Sequence, residues 1–324
     1  MVARGLPSYC ICRWSLWGKE FALPDTLRVC TRTARWVMER ELWPILYHAL
    51  RAAAREATQR AVHHQPWRIA AVLLWAALHD RPVCWACDPG NWSSTRLRPR
   101  EIPSASTISR RSDRPEFAVF LTRLATQLRG DGPPAWTLVI DGKELPVGRC
   151  SKDLDAVAGR RGPGYKLHAL WGDRPLPERW AVTAANEYEG AVAERLLADF
   201  AGKGILLADG NYEASPLYDA AAAAGYQLIA PPDDQDTGRG HTYQSPYRLR
   251  ALEWFKDGWG ATLLRPRSAI ERAFGNLTSF GGGLGPLPSW VRRLGRVRRW
   301  VWAKLTINAA RIILRQRQRI EQMQ

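Results

Sequence analysis

Two short apolar runs in this chain stop at the same dipeptide. Trp136-Thr137-Leu138-Val139-Ile140 runs into Asp141-Gly142, and Ile205-Leu206-Leu207-Ala208 runs into Asp209-Gly210. Runs of this length and composition read as buried strands. Tyr165 to Trp171 alternates, with Lys166 and His168 on one face and Leu167 and Ala169 on the other, and Trp180 to Ala184 and Tyr226 to Ile229 read as further strands. Helical stretches from about Glu189 to Phe200 and from Ser215 to Ala224 separate the later ones. Three strands, helix, strand, helix, strand, helix is the order of a mixed α/β sheet, with hairpin-connected strands followed by crossovers and helices covering the faces.

Gly130-Asp131-Gly132-Pro133-Pro134 separates this region from what precedes it and is the best domain boundary. Residues 1–130 read as a mostly helical, DNA-binding domain, and residues 131–324 as the α/β domain. Helical spacing covers Trp36 to Arg60 and Trp67 to His79, whereas Pro82, Pro89, Gly90, Asn91 and Pro99 exclude a long helix between them. Pro103-Ser104-Ala105-Ser106-Thr107-Ile108-Ser109-Arg110-Arg111 predicts a short helix capped by Ser104. Its terminal Arg110 and Arg111 suit a DNA groove, and equally an ordinary surface helix. The 16 tryptophans follow no fixed period and read mostly as core anchors, with a few free to stack on bases.

The formal charge is +16, and the isoelectric point near 10.1 points to a polyanionic partner, nucleic acid before membrane. Arginines cluster as Arg110–Arg111, Arg160–Arg161, and Arg292, Arg293, Arg296, Arg298 and Arg299. The longest apolar run, Ile69 to Leu78, is half the roughly 20 residues a bilayer requires. Arg4, Pro7 and Arg13 interrupt any early secretory segment. The expected location is therefore cytoplasmic, in the cytosol or at a nucleoid. Six cysteines in 324 residues make no disulfide scaffold. Cys84 and Cys87 form a lone CxxC whose zinc reading needs His79 or the distant Cys150, so reduced thiols are the expectation.

Asp-Gly is an ordinary turn start, but two matched acids at strand ends in a basic chain pose a specific problem. Carboxylates repel phosphodiesters unless cations intervene, and two or three of them around Mg²⁺ remove the repulsion and create chemistry. A third acid is expected on a helix beside the strands, and Glu271 is the candidate. Pro266 suits the start of its helix, and Arg267 stands four residues before Glu271, where both can project from one face.

The order Asp141, Asp209, Glu271 resembles the DDE transposases of bacterial insertion sequences, whose catalytic domain has a ribonuclease H-like fold. The resemblance spans most of residues 135–315 and rests on Val139-Ile140-Asp141-Gly142, Gly164-Tyr165-Lys166-Leu167-His168, Leu207-Ala208-Asp209-Gly210-Asn211-Tyr212 and Ile270-Glu271-Arg272. One subgroup carries Tyr-x2-Arg-x3-Glu-x6-Lys around the last acid; Arg267 and Glu271 match it, while Leu264 and Thr278 replace the tyrosine and lysine.

The resemblance implies a ribonuclease H-like mixed sheet flanked by helices, behind a mostly helical N-terminal domain. It implies Asp141, Asp209 and Glu271 as catalytic residues and ligands of Mg²⁺ or Mn²⁺. Water attacks at a transposon end, and the released 3′-hydroxyl attacks target DNA. Double-stranded DNA is the implied partner, and a homodimer in a synaptic complex the implied assembly. Lys166, Arg267 and Arg272 are candidate phosphate contacts; His168 reads as a strand-face residue rather than a ligand. A helix from Trp290 to Gln316 buries Val291, Leu294, Val297, Val301 and Leu305 and turns Arg292, Arg296 and Arg299 outward, where they could track a DNA backbone. The alternatives are a catalytically silent transposase-derived DNA-binding regulator and a related metal-dependent nuclease that cuts without joining.

Overall fold

A computed structural model describes residues 38–55, 64–130, 132–148, 151–232, 243–278 and 283–324. The early segment containing Arg4, Pro7 and Arg13, both ends of the helix expected over Trp36 to Arg60, and Cys150 lie outside the described residues.

The N-terminal part is helical. A π-helical turn, Met38–Leu42, leads into α1 (Trp43–Arg55); α2 (Pro66–Leu78), α3 (Val83–Ala86), α4 (Ala105–Arg111) and α5 (Pro115–Arg129) follow. The Pro/Gly/Asn-rich stretch between α2 and α4 is pinned by tryptophan. The indole N–H of Trp43 donates to the Leu97 carbonyl at 2.7 Å, that of Trp75 to Asn91 at 2.9 Å and that of Trp92 to Ala86 at 2.9 Å. Trp75 and Trp92 stack with centroids 4.8 Å apart, and both touch Trp43. These rings supply buried area while satisfying carbonyls that an irregular segment leaves unpaired. Ser104 caps α4 as expected, accepting from the Thr107 N–H at 3.3 Å.

The sheet has six strands: β1 (Thr137–Pro146), β2 (Val157–Gly159), β3 (Gly162–Trp171), β4 (Arg179–Ala184), β5 (Gly204–Leu207) and β6 (Tyr226–Ile229). The order is β2-β3-β1-β5-β6, with β4 also pairing β3. The β1, β3 and β4 pairings are antiparallel, and β5 and β6 join β1 in parallel. This is the expected mixed sheet, flanked by helices behind a helical N-terminal region. Two features differ from the sequence reading. The short strand β2 pairs only Gly162–Gly164 of β3, too little chain to leave an alternating pattern. Strand β1 does not end at Asp141-Gly142 but continues to Pro146, because β3 goes on pairing it after β5 has stopped.

Alternation along the strands divides the core. Leu138, Ile140, Leu170, Leu206 and Leu228 face α6 (Glu189–Leu197), α7 (Ser215–Ala223) and Ala251 of α8 (Pro246–Lys256). Val139, Leu167, Ala169, Trp171, Leu207 and Ile229 face the other way, sharing a core with the N-terminal helices and the C-terminal part of the chain. There, α9 (Trp259–Leu264) and a 3₁₀ turn, Arg265–Arg267, precede α10 (Ser268–Thr278), and α11 (Leu294–Met323) closes the chain. Gly204 opens β5 with φ +143°, and a Cβ there would stand 1.9 Å from the Trp136 carbonyl oxygen, so only glycine lets β5 dock against β1.

The last helix is longer than its apolar stripe suggested and starts later. Val297, Val301 and Leu305 are buried as expected, but Arg292 lies before the helix, its guanidinium bonded to the Pro288 and Val291 carbonyls. The helix N-terminus is held by acids: the Leu294 N–H donates to Asp155 at 2.9 Å and the Arg293 N–H to Asp153 at 3.0 Å. Farther along, Lys304 is fully buried; its ammonium meets Asp80 at 2.6 Å and the Ala77 carbonyl at 2.7 Å, clamping α11 onto the end of α2.

Candidate active site at the β1–β5 fork

Parallel pairing of β1 with β5 ends at Val139 opposite Leu207. Asp141 and Asp209 each stand two residues further on, so the register itself sets the two acids side by side where the strands part. Asp141 shares the parity of Val139 and Lys143, whose ammonium lies 5.9 Å from the Phe274 ring of α10, and so belongs to the α10 face. Its carboxylate accepts from the Gly142 N–H at 2.7 Å. Asp209 caps the 3₁₀ turn Gly210–Tyr212 by accepting from the Asn211 N–H at 3.0 Å.

Burial pushes the Asp141 carboxyl up to about 6; Asp209 and Glu189 add repulsion, while the Gly142 N–H and Arg267 oppose it. Asp209 is raised for the same leading reason, with Glu189 again repelling and the Asn211 N–H, Arg267 and Lys166 drawing it back. The pair is thus a concentration of negative charge that this fold holds at a cost.

The structure brings Asp141, Asp209, Arg267 and Lys166 into one electrostatic neighbourhood. Glu271 is exposed on α10. Ile270, Phe274 and Leu277 form the buried stripe of that helix, which leaves Glu271 on its flank. Arg267 lies in the 3₁₀ turn ahead of α10, and Glu271 in the first turn of the helix itself. Arg272, exposed, donates to Ser268 within α10. Arg110 donates to the Ser106 carbonyl, Arg111 is half-buried, Arg296 is exposed, and Arg299 is paired with Asp113 at 2.5 Å.

The acid that does act on both aspartates is Glu189, the first residue of α6, which the sequence reading passed over as a helix start. Its Oε1 meets the Lys166 ammonium at 2.7 Å. A Cβ at Gly142 would come within 3.0 Å of that oxygen and 3.1 Å of the Lys166 Cδ. The signal was present in the glycine of Asp141-Gly142 and in Lys166, but nothing local linked either to position 189.

His168 is buried, with its Nε2 3.0 Å from the Thr183 hydroxyl, and burial lowers it to about 4, so it is a neutral strand-face residue at neutral pH. Cys84 is exposed, and burial together with Cys84 pushes the Cys87 thiol up to about 11, which keeps it protonated. Among the described residues, no three His, Cys, Asp or Glu side chains are grouped so as to hold a metal ion. No described helix is long and apolar enough to cross a membrane.

Residues 132–308, more than half the chain, match the family model described as "Transposase DDE domain". The chain belongs to this transposase family. The matched segment begins ahead of β1 and ends inside α11, so it contains both aspartates, Glu189 and Glu271. Among solved structures, the chain is similar to the cryo-EM structure of a piggyBac transposase synaptic complex with hairpin DNA. That likeness has 8% identity and a TM-score of 0.40, covering 86% of this chain and 73% of the other. No curated protein sequence matches the chain.

Proposed function

We propose that this family member is an active enzyme that cleaves the ends of an insertion sequence and transfers the freed strand to target DNA, dependent on Mg²⁺ or Mn²⁺. The observation that carries the reading is the strand register that sets Asp141 beside Asp209, with Arg267 acting on both. The donors suit the ion. Mg²⁺ commonly takes one or two carboxylates and completes its octahedron with water and substrate phosphate, and these two crowded carboxylates gain from a cation between them. Asp141 and Asp209 would hold it, with Glu271 the third acid by family pattern. Divalent ions bound there would supply Lewis-acid stabilisation of charge on the attacking and leaving oxygens.

The chain's own residues do the rest. Arg267, half-buried beside both acids, would orient a phosphate against them, and Lys166 would approach from the β3 side. Arg272, Arg110, Arg111, Arg292, Arg296 and Arg299 would line the path of the duplex as sequence-independent contacts. In this reading residues 1–130 form a DNA-binding domain and residues 131–324 the catalytic one, two copies bridge two DNA ends, and the protein works in the cytoplasm at the nucleoid.

The test is cleavage of DNA carrying the element's own ends, with and without Mg²⁺ or Mn²⁺, by wild type and Asp141→Ala. Metal-dependent nicking by wild type alone, followed by joining from a precut 3′-hydroxyl end, is expected. Cutting without joining would replace the reading with a nuclease, and binding without either reaction with a silent regulator.

A further inference from the structure

We propose that the cleft between the end of β1 and the segment leading into α11, where Lys152, Arg292 and Arg293 converge, holds a backbone phosphate of the bound DNA. The proposal rests on the DNA-binding part of the reading above, and on neither metal nor cleavage. The cleft measures about 490 Å³ and is lined by those three cations, by Ser151 and Ser289, and by one acid, Asp153. That acid is already committed. Its carboxylate accepts from the Arg293 N–H at 3.0 Å and from the Tyr165 hydroxyl at 2.7 Å. Nearby Asp155 takes the Leu294 N–H at 2.9 Å and the Arg293 guanidinium at 3.1 Å. Both carboxylates are thus taken up by the start of α11, and they hold Arg293 at φ +71°, a conformation that costs a residue with a side chain energy.

The other two cations are left for an anion. Lys152 is exposed and meets no acid among the described residues. Arg292 is half-buried, and its Nη1 donates to the Pro288 carbonyl at 2.7 Å and the Val291 carbonyl at 2.8 Å. Carbonyls fix the guanidinium without neutralising it, so it keeps its charge and has little freedom left to lose on binding. An ammonium, a guanidinium fork and two hydroxyls match an anion with several oxygens, as a phosphodiester is. The cleft also lies on the face that carries Asp141. Val139, Leu145 and Val147 pack into the core that Leu287 and Val291 share, and Asp141 has the parity of those strand residues. Gly148, at the cleft, follows Asp141 by seven residues, which at roughly 3.3 Å per residue is about 23 Å of extended strand. A duplex lying along β1 with its cut bond at the β1–β5 fork would bring over the cleft a phosphate about six or seven base pairs away.

The experiment is fluorescence anisotropy of the full-length chain on a duplex carrying the element's own end, in chelator, across a range of salt. Lys152→Ala is expected to weaken binding severalfold and to lower the salt slope by about one. Arg160→Ala removes an equally exposed cation, outside the cleft, and should lower the slope less. Uncharged methylphosphonates placed one at a time along the duplex should then find a position, about six or seven base pairs from the cut, that weakens wild type but weakens Lys152→Ala no further. Thermal melts of both variants guard against a folding artefact. Equal slopes for the two variants, with no position whose effect depends on Lys152, overturn the phosphate site. A flat scan together with inorganic phosphate that raises the melting temperature of wild type but not of Lys152→Ala makes it a free-anion site and overturns the DNA assignment. Wild type that binds the duplex but never cuts it leaves this test intact while the catalytic reading falls, and wild type that binds no DNA overturns both.

Discussion

Replacing Asp141 by asparagine should make the metal-free protein more stable at neutral pH. Burial, aided by Asp209 and Glu189, raises this carboxyl from 3.8 to about 6. An acid whose folded pKa exceeds its unfolded one binds its proton more tightly in the native state. Stability from this group is therefore full below about pH 4, falls as pH climbs from about 4 to about 6, and stays low above that window. Two units correspond to about 3 kcal/mol as a ceiling, and the partial solvent access of the site reduces the expected gain to ~1–2 kcal/mol. Asparagine keeps an oxygen that can accept the 2.7 Å bond from the Gly142 N–H, so the substitution removes charge with little else. In urea titrations at pH 7.5 with chelator, Asp141→Asn should exceed wild type by that amount. The advantage should vanish at pH 3.5 to 4, and should shrink or reverse in 10 mM Mg²⁺, where only the native aspartate gains from ligand linkage. An asparagine variant no more stable than wild type at pH 7.5 without metal would refute the idea that the fold holds these charges under strain.

The clamp between α11 and α2 should respond asymmetrically. Asp80→Ala removes the carboxylate that meets the buried Lys304 ammonium, and should cost about 3 kcal/mol in urea denaturation. Lys304→Met strands an aspartate that is half in solvent and should cost no more than about 1 kcal/mol. On the DNA side, the exposed Arg296 should lower the salt slope of binding by about one unit when changed to alanine. Arg299 is already spent on Asp113, so Arg299→Ala should change the slope less; equal slopes in fluorescence anisotropy titrations would remove both from the backbone path.

The strands were legible because their side chains had to be apolar on both faces or to alternate strictly. Tyr226–Ile229 and Arg179–Ala184 lie within a residue of their expected limits, and Ser104 caps α4 because a serine before a helix has a specific bond to make. Pairing was less legible than strand content. The extension of β1 to Pro146 depends on β3 lying alongside it, and residues 142–146 carry no apolar run that would announce it. The 3₁₀ turn at Arg265–Arg267, ahead of the helix that carries Glu271, was likewise not announced by the four-residue spacing of Arg267 and Glu271.

Why Glu189 escaped notice while Asp141 and Asp209 did not follows from how each is placed. An acid that ends an apolar run is marked by contrast with its own neighbours, and the parallel register then guarantees that two such acids meet. An acid at a helix start looks like any residue favoured there by the helix dipole, and its distance from a strand on the far side of a loop is fixed only by tertiary packing. What the sequence did hold was the vacancy opposite it. A glycine in the β1 position that faces α6, bounded by Ile140 on one side and Glu144 on the other, excludes a packed side chain where the sheet would otherwise bury one. That absence has a physical purpose only if another group must come close to the strand, and the Glu189 carboxylate with its lysine is the group that does.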